Sequence, residues 1–258
     1  MAKKAIGIDI GGTGIKGALV NLKSGELVGE RLRVETPDGG EPKDIAAVVK
    51  KLVADLGGTS DLSVGICFPA VVQHGHTMSA ANVSKAWIGL DADSLFTKAL
   101  GRSVHVMNDA DAAGFAEMRY GAGRKVGGLT IMTTLGTGIG TAIFMDGVLV
   151  PNAELGHLEI DGVDYETQAA YSAKERENLS WEAWAVRLQK YYSTLERLFS
   201  PDLIIVGGGV SKTHELFLPL LRLRAKIVPA LKRNNAGILG AAALAYKADK
   251  PPKAARAE

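Results

Sequence analysis

Cysteine is almost absent from this chain of 258 residues, in which Cys67 is the single example. A lone thiol excludes an internal disulfide and favours a reducing compartment, the cytoplasm, and Cys67 reads as a core residue because its neighbours are apolar. The net charge is only +2, which gives no sign of a nucleic-acid partner. No apolar run approaches the roughly 20 residues that cross a membrane, and no secretory leader precedes the first predicted strand. We therefore expect a soluble cytoplasmic protein.

The chain is long enough for two packed lobes or one large domain, and its hydrophobic content of 47% is ordinary for a globular protein. Its first part predicts the order βββαβαβ, opening with three antiparallel strands over residues 5–10, 15–22 and 27–34. A second cycle starts at Gly128, again with a strand, a turn rich in Gly and Thr, and another strand, which suggests an internal duplication. Helices are predicted over 181–199, over 215–223 with an interruption at Pro219, and over 236–246.

Three glycine-rich turns, Gly11–Gly17, Gly136–Gly140 and Gly207–Gly209, each follow an apolar strand directly. Any one of them could be no more than a tight turn. Ligands of α/β proteins collect at the carboxyl ends of strands, however, and backbone N–H groups without a nearby Cβ suit a phosphate. Asp9 stands just before the first turn and could hold Mg²⁺. Together the three turns predict a cradle for a polyphosphate.

Two polar motifs follow other predicted strands. Asp109, in Met107-Asn-Asp-Ala, is either an N-cap or a carboxylate that accepts a proton from a substrate hydroxyl. Glu154 and His157 are three residues apart, so they either present polar groups to vicinal sugar hydroxyls or lie in a solvated loop. Zinc is disfavoured, because no cysteine lies near His157.

Seven segments, in this order and spacing, resemble the ROK family of sugar kinases (repressors, open reading frames, kinases) in the actin-like ATPase superfamily. They are Ile8–Lys16, Gly65–Pro69, Asn108–Asp111, Thr134–Gly140, Glu154–His157, Ile205–Val210 and Gly237–Ala242. The resemblance implies an α/β, two-lobed actin-like ATPase fold, ribonuclease H-like, with an interlobe cleft. We expect the lobes at residues 1–107 and 108–235, with a C-terminal helix over 236–247 packing on the first.

The resemblance also implies roles. Asp109 matches the general base that takes the proton of the sugar 6-hydroxyl. The sugar ligands are matched by Asn82, Asn108, Asp109, Glu154 and His157. The phosphate and nucleotide loops are matched by Asp9, Gly11, Gly12, Thr13, Lys16, Thr134, Gly136, Thr137, Gly138, Gly207, Gly208 and Gly209. Asp9 is the carboxylate expected near Mg²⁺.

The chain departs from the family in one region. Most members follow Glu-x-Gly-His with a cysteine-rich zinc motif and a further sugar-binding Glu, but residues 158–172 contain no cysteine. We therefore expect no structural zinc, and the last sugar ligand could be Glu159, Glu166 or Gln168. No helix-turn-helix precedes the first strand, which argues against a repressor.

These departures, together with the segments Glu154–Glu159, Leu179–Glu182 and Arg197–Pro201, are similar to the polyphosphate glucokinase branch of the family. That branch implies transfer from inorganic polyphosphate, and often ATP, to glucose, with mannose as a second acceptor. Basic residues flank the phosphate turns, including Arg222, Arg224, Lys226, Lys232 and Arg233. They fit a polyanion, or form a solvated basic face.

Three other functions stay open: an ATP-only ROK hexokinase, a sugar-sensing regulator, and an actin-like scaffold. The scaffold would leave Asp109 and the Glu154–His157 motif unexplained. The preferred donor, the balance between glucose and mannose, and a homodimeric state also stay open at this stage.

Overall fold

The computed structural model describes residues 3–59, 61–80 and 83–249. The chain forms two compact units. The first comprises the residues up to Ala113 together with those from Gly237 onward, and the second comprises Gly114–Ala236. The division falls inside a helix, a few residues beyond the position expected from the sequence.

The first unit is built on a five-stranded sheet of order β3-β2-β1-β4-β7. Strands β1 to β3 are antiparallel, whereas β1, β4 and β7 are parallel. The three antiparallel strands at the start of the chain are thus confirmed. The elements are β1 (Lys4–Gly11), β2 (Gly14–Asn21), β3 (Glu26–Val34), α1 (Pro42–Asp55), β4 (Ser63–Phe68), β5 (Val72–Gln73), β6 (His76–Thr77), α2 (Ala92–Leu100), β7 (Val104–Asn108) and the start of α3 (Asp109–Tyr120).

The second unit repeats this plan with a sheet of order β10-β9-β8-β13-β14. Again the first three strands in the chain are antiparallel and the last two are parallel to the first. The predicted internal duplication is therefore confirmed. The elements are β8 (Leu129–Leu135), β9 (Ile139–Met145), β10 (Val148–Val150), β11 (Glu159–Ile160), β12 (Val163–Asp164), α4 (Glu166–Ala169), α5 (Tyr171–Arg176), α6 (Trp181–Phe199), β13 (Leu203–Gly207) and β14 (Lys226–Pro229).

The last helix, α7 (Ala236–Asp249), packs on the first sheet. Two glycines permit its close approach: a Cβ on Gly7 would lie 1.9 Å from the carbonyl oxygen of Ile238, and one on Gly65 would lie 2.0 Å from that of Ala241. The opposite face of β1 presents Ile6 and other isoleucines to a core shared with α1 and α2. The central strands β1 and β4 are therefore covered on both faces.

Helix α6 has the apolar face predicted from its periodicity. Trp184, Leu188, Tyr191 and Leu195 are all fully buried. Its N-terminus is capped by Ser180, whose Oγ accepts a hydrogen bond from the backbone N–H of Ala183 at 3.1 Å. Trp184 is a core residue, and Trp181 is partly buried against the same core.

The prediction of a helix over residues 215–223 is wrong. That region holds two short 3₁₀ segments, Gly209–Leu216 and Leu218–Leu220, and the missed strand β14 follows. Pro219 has no N–H to continue a helical ladder, so only single turns form here.

Candidate active site

The first glycine-rich turn joins β1 to β2 through Gly12 and Thr13. Its carbonyl groups are held by side chains: Thr36 Oγ1 donates to the Gly11 carbonyl at 2.5 Å, and Arg33 Nη2 donates to the Thr13 carbonyl at 3.3 Å. The turn is thus a tight hairpin connection fixed from outside, as the sequence predicted.

Asp9 and Lys16 face each other across this hairpin, three residue pairs from its tip. Lys16 Nζ lies 3.2 Å from Asp9 Oδ2, and both side chains are partly exposed. This pair continues across the sheet as a row of opposed residues, because Asp9 is opposite Cys67 on β4 and Cys67 is opposite Met107 on β7. The cation and carboxylate of the first turn therefore belong to one transverse row of the sheet.

Cys67 lies in the middle of this row and is fully buried, as predicted. Its Sγ is 3.5 Å from Asp9 Oδ1. Burial, and then the negative charges of Asp9 and Asp109, raise the pKa of the Cys67 thiol well above its usual value. The thiol therefore stays neutral, with its Sγ in contact with the Asp9 carboxylate.

Asn108 caps α3 and leaves Asp109 at the surface. The Asn108 Oδ1 accepts hydrogen bonds from the backbone N–H groups of Ala110 and Asp111, at 2.8 and 3.0 Å, and its Nδ2 donates to the Ala70 carbonyl at 3.0 Å. Asn108 is buried, whereas Asp109 is exposed. Of the two readings of Asp109, the role of principal N-cap goes to Asn108 instead.

The second glycine-rich turn joins β8 to β9 and is held by α5. Ser172 donates through its N–H to the Gly136 carbonyl at 3.0 Å and through its Oγ to the Thr137 carbonyl at 2.6 Å. A Cβ on Gly136 would meet nothing within 4 Å, but one on Gly138 would lie 2.5 Å from the Glu166 carboxylate. One side of this turn is therefore open and the other carries an acid.

The third turn lies beside the second within this unit. Gly207 pairs with Thr134 across β13 and β8. Gly208 has a φ of 83°, and a Cβ there would lie 2.1 Å from the Leu135 carbonyl oxygen, so only glycine allows this contact. At Gly209 a Cβ would meet nothing within 4 Å. The structure thus brings the second and third turns together, while the first turn belongs to the other unit.

The Glu154–His157 segment is pinned to β9. Thr141 Oγ1 donates to the Ala153 carbonyl at 2.5 Å and accepts from the Leu155 N–H at 2.9 Å. Gly156 packs so closely that a Cβ there would lie 2.1 Å from the Ile139 carbonyl oxygen. This motif is therefore a held loop at the surface.

Four titratable side chains, Glu154, His157, Asp164 and Glu166, form what we call the acidic cluster. His157 Nδ1 lies 2.9 Å from Asp164 Oδ2. The Asp164 hydrogen bond, followed by the charges of Glu166, Asp164 and Glu154, raises the pKa of His157. Partial removal from water raises the pKa of Glu154, and the negative charge of Glu166 raises it further. His157 therefore contacts Asp164 directly, and Asp164 in turn contacts the backbone of Glu166.

Glu166 is fixed at the edge of the second turn, where its Oε2 accepts a hydrogen bond from the Ile139 N–H at 2.6 Å. Glu159 is exposed on β11, and the Gln168 side chain contacts Thr167. Glu166 is the one of these three candidates whose charge is felt by both Glu154 and His157.

Sequence reasoning missed Asp164. The signal was present, because Asp161-Gly162 forms the two-residue turn between β11 and β12 with φ values of 54° and 76°. Recognising that hairpin would have placed Asp164 opposite Glu159. Asn82 lies outside the described residues.

Among the described residues, no group of three or more His, Cys, Asp or Glu side chains could by itself hold a metal ion. Asp9 nevertheless fits Mg²⁺, which usually takes one or two protein carboxylates and completes its shell with water and phosphate oxygens. Within the same described part of the chain, no helix is long and apolar enough to cross a membrane.

The chain is similar to known proteins over nearly its whole length. A sequence profile of the ROK family matches residues 5–173. Polyphosphate glucokinase from Mycobacterium tuberculosis is 43% identical over 241 residues, which cover 93% of this chain and 90% of the relative. The match therefore extends over most of both chains.

Two solved structures share the fold. The inorganic polyphosphate/ATP-glucomannokinase from Arthrobacter sp. strain KM matches with a TM-score of 0.88 and 56% identity, covering 95% of this chain and 98% of that one. A ROK family glucokinase from Streptomyces griseus, in complex with glucose and AMPPNP, matches with a TM-score of 0.81 and 26% identity, covering 95% and 99%. The α/β fold is therefore that of the actin-like ATPases, as the sequence resemblance implied.

Proposed function

Because the chain belongs to the ROK family, we propose that it is a glucokinase that transfers a phosphoryl group from inorganic polyphosphate or ATP to the 6-hydroxyl of glucose. The observation that carries the proposal is the arrangement at the end of β7. Asn108 accepts the N–H groups of Ala110 and Asp111 at the start of α3, and Asp109 Oδ1 also accepts the Ala110 N–H at 2.8 Å. These contacts hold the exposed Asp109 carboxylate beside the row that contains Asp9 and Lys16.

Asp109 is the general base of this reaction. It orients the sugar hydroxyl and accepts its proton as the oxygen attacks phosphorus, a role that contributes about 10²–10⁴ in rate. The position of Asp109 is fixed because the cap made by Asn108 holds the first turn of α3. The Asn108 amide has made three bonds within the protein, which leaves one N–H for a sugar hydroxyl.

The glycine turns and Lys16 hold the phosphate groups. Backbone N–H groups and a fixed cation stabilise charge on the transferring phosphoryl group without reorganising, which is the larger contribution to catalysis. Asp9 would hold Mg²⁺, which supplies charge neutralisation at the phosphates when bound. The open sides of Gly136 and Gly209 leave room for phosphate oxygens next to the backbone.

The acidic cluster holds the sugar. Glu154 and His157 bind its hydroxyls, and Glu166 supplies the last carboxylate in preference to Glu159 or Gln168. The support for Glu166 is its anchored position beside Glu154 and His157. Asn82 completes the set by resemblance to the family. Mannose is the second acceptor that we propose, after the activity in the name of the Arthrobacter relative.

Lys232 and Arg233 are the cations that we assign to a long polyphosphate donor. They follow the end of β14, where the Ala230 N–H donates to the Val206 carbonyl beside the third glycine turn. Arg222 and Arg224 are different, because their side chains bind the Pro219 carbonyl and Glu196. Among these basic residues, Arg222 and Arg224 therefore support the local structure, whereas Lys232 and Arg233 are the surface cations.

Sugar 6-phosphate formation by the purified protein tests the proposal, with polyphosphate and ATP supplied separately to a panel of hexoses. We expect product from glucose with both donors. Product from ATP alone would leave an ATP-only hexokinase, and no product with either donor would refute the kinase. The double variant Lys232→Ala/Arg233→Ala should raise KM for polyphosphate about tenfold, whereas Arg222→Ala, its control, should not.

A further inference from the structure

We propose that Asp164 is the positioning residue of the sugar site, in that its single carboxylate orients both His157 and the start of the helix that carries Glu166. This inference rests on the proposed function, because it concerns the same acidic cluster. Asp164 touches neither the reacting atoms nor the phosphate turns, so it acts through its two neighbours.

The two oxygens of Asp164 make two different contacts. Oδ2 lies 2.9 Å from Nδ1 of His157. Oδ1 accepts a hydrogen bond from the backbone N–H of Glu166 at 3.2 Å, at the first residue of α4. An aspartate that accepts the N–H two residues further on forms an Asx-turn, which holds the backbone at the entry to the helix. One side chain therefore sets the position of a ring and of a carboxylate that lie in separate elements.

The hairpin that carries Asp164 is held firmly. The Tyr165 N–H donates to the Leu158 carbonyl at 3.1 Å, and the buried ring of Tyr165 stacks on Tyr191 with 6.5 Å between the ring centres. At the turn, Asp161 forms an ion pair with Lys190 of α6. The Asp161–Lys190 pair is exposed and adds little, so the Tyr165 contacts are what hold Asp164 in place beside the imidazole.

The contact also selects the form of the ring. A carboxylate only accepts hydrogen bonds, so Nδ1 of His157 must carry the proton that it shares with Asp164. Nε2 is then left to accept a hydrogen bond from a sugar hydroxyl when the ring is neutral, or to donate one when it is charged. The charged groups that face the ring are Glu154 on its own loop, Asp164 on β12 and Glu166 on α4. All three favour the protonated ring.

The variant Asp164→Asn tests the inference because it keeps the size of the side chain. Its Oδ1 can still accept from the Glu166 N–H, but its amide nitrogen would donate to His157 Nδ1 and force the proton to Nε2. We expect a loss of the Nδ1–H form in long-range ¹H–¹⁵N spectra of histidine-labelled protein, with the signal assigned through His157→Gln. The apparent pKa of His157 should fall. KM for glucose should rise about tenfold, with kcat changed less than about threefold.

Asp161→Asn is the matched control, since it makes the same change in the same hairpin without contact to His157. It should leave the His157 spectrum and the glucose KM as they are. An unchanged tautomer and an unchanged KM in Asp164→Asn would overturn the inference. The spectra need no turnover, so they report on Asp164 even if the kinase assay fails, and the two failures are distinguishable.

Discussion

The two sheets have the same strand order, yet equivalent rows across them carry different chemistry. In the first sheet the row three pairs from the hairpin tip reads Lys16, Asp9, Cys67 and Met107. In the second it reads Thr141, Thr133, Val206 and Pro229. The duplicated framework therefore places charge in one copy and neutral side chains in the other.

The second copy uses its neutral row for support. Thr133 Oγ1 is buried and lies 2.7 Å from the Tyr192 hydroxyl of α6, while Thr141 holds the loop before Glu154. The first copy leaves Asp9 and Lys16 partly exposed beside its turn. The two copies thus share a strand framework but use it differently: the first carries a partly exposed charged pair beside its turn, and the second carries hydroxyls that hold neighbouring elements.

The ends of the fifth strands differ in the same way. In the first copy β7 leads into α3 with the Asp109 carboxylate exposed. In the second, β14 leads into a 3₁₀ turn, Arg233–Asn235, that bears cations. An acid therefore follows one of the two equivalent strands, and basic residues follow the other.

The largest effect is expected at Asp109, the exposed acid that distinguishes the end of β7 from the end of β14. We predict that Asp109→Asn lowers kcat about 10³-fold, because the amide cannot accept the sugar proton. Glucose binding, measured by calorimetry, should change little, since the amide still hydrogen-bonds. The Lys232→Ala/Arg233→Ala variant is the control and should keep its kcat with ATP. Turnover within tenfold of the wild type would remove Asp109 from the role of base.

The next effect concerns the helix that covers the first sheet. Gly7→Ala would drive a methyl group into the Ile238 carbonyl, 1.9 Å away, and we predict a loss of about 3 kcal/mol of folding free energy, or about 10 °C in Tm. Gly136→Ala in the second hairpin is the matched control, because its Cβ would meet nothing within 4 Å. Calorimetric scans measure the Tm of both variants. Equal Tm values would show that α7 is not held by this contact.

Much of this architecture could be predicted from local patterns. The strands flanking the first turn, the helix after Asp109 and the amphipathic α6 follow from periodicity and caps within a few residues. The acidic cluster could not be assembled that way. Glu166 reaches the Ile139 N–H from 27 positions along the chain, and Asp164 depends on a hairpin with strands of only two residues. Such contacts are created by packing, for which the sequence holds only weak local signals.

A smaller effect is expected at Thr141, which belongs to the neutral row of the second sheet. We predict that Thr141→Val, which leaves the Ala153 carbonyl and the Leu155 N–H without this partner, destabilises the protein by about 2 kcal/mol and raises KM for glucose severalfold. Thr141→Ser retains the hydroxyl and should retain both properties. Thermal unfolding and initial rates measure the two effects. A KM as low in Thr141→Val as in Thr141→Ser would mean that the Glu154 loop is positioned by other contacts.

The smallest effect expected is a pH dependence that belongs to the second copy alone. Because Asp164 and its acidic neighbours raise the pKa of His157 in the folded chain, the protonated ring stabilises the fold below the unfolded pKa of about 6.5. That stabilisation is lost as pH rises through the higher folded value. The ring is more than half exposed, so solvent screens it and the change in Tm should stay within about 2 °C. Scans between pH 5 and 9 should show this slope in the wild type and lose it in His157→Gln; a slope that survives the substitution would assign it to another group.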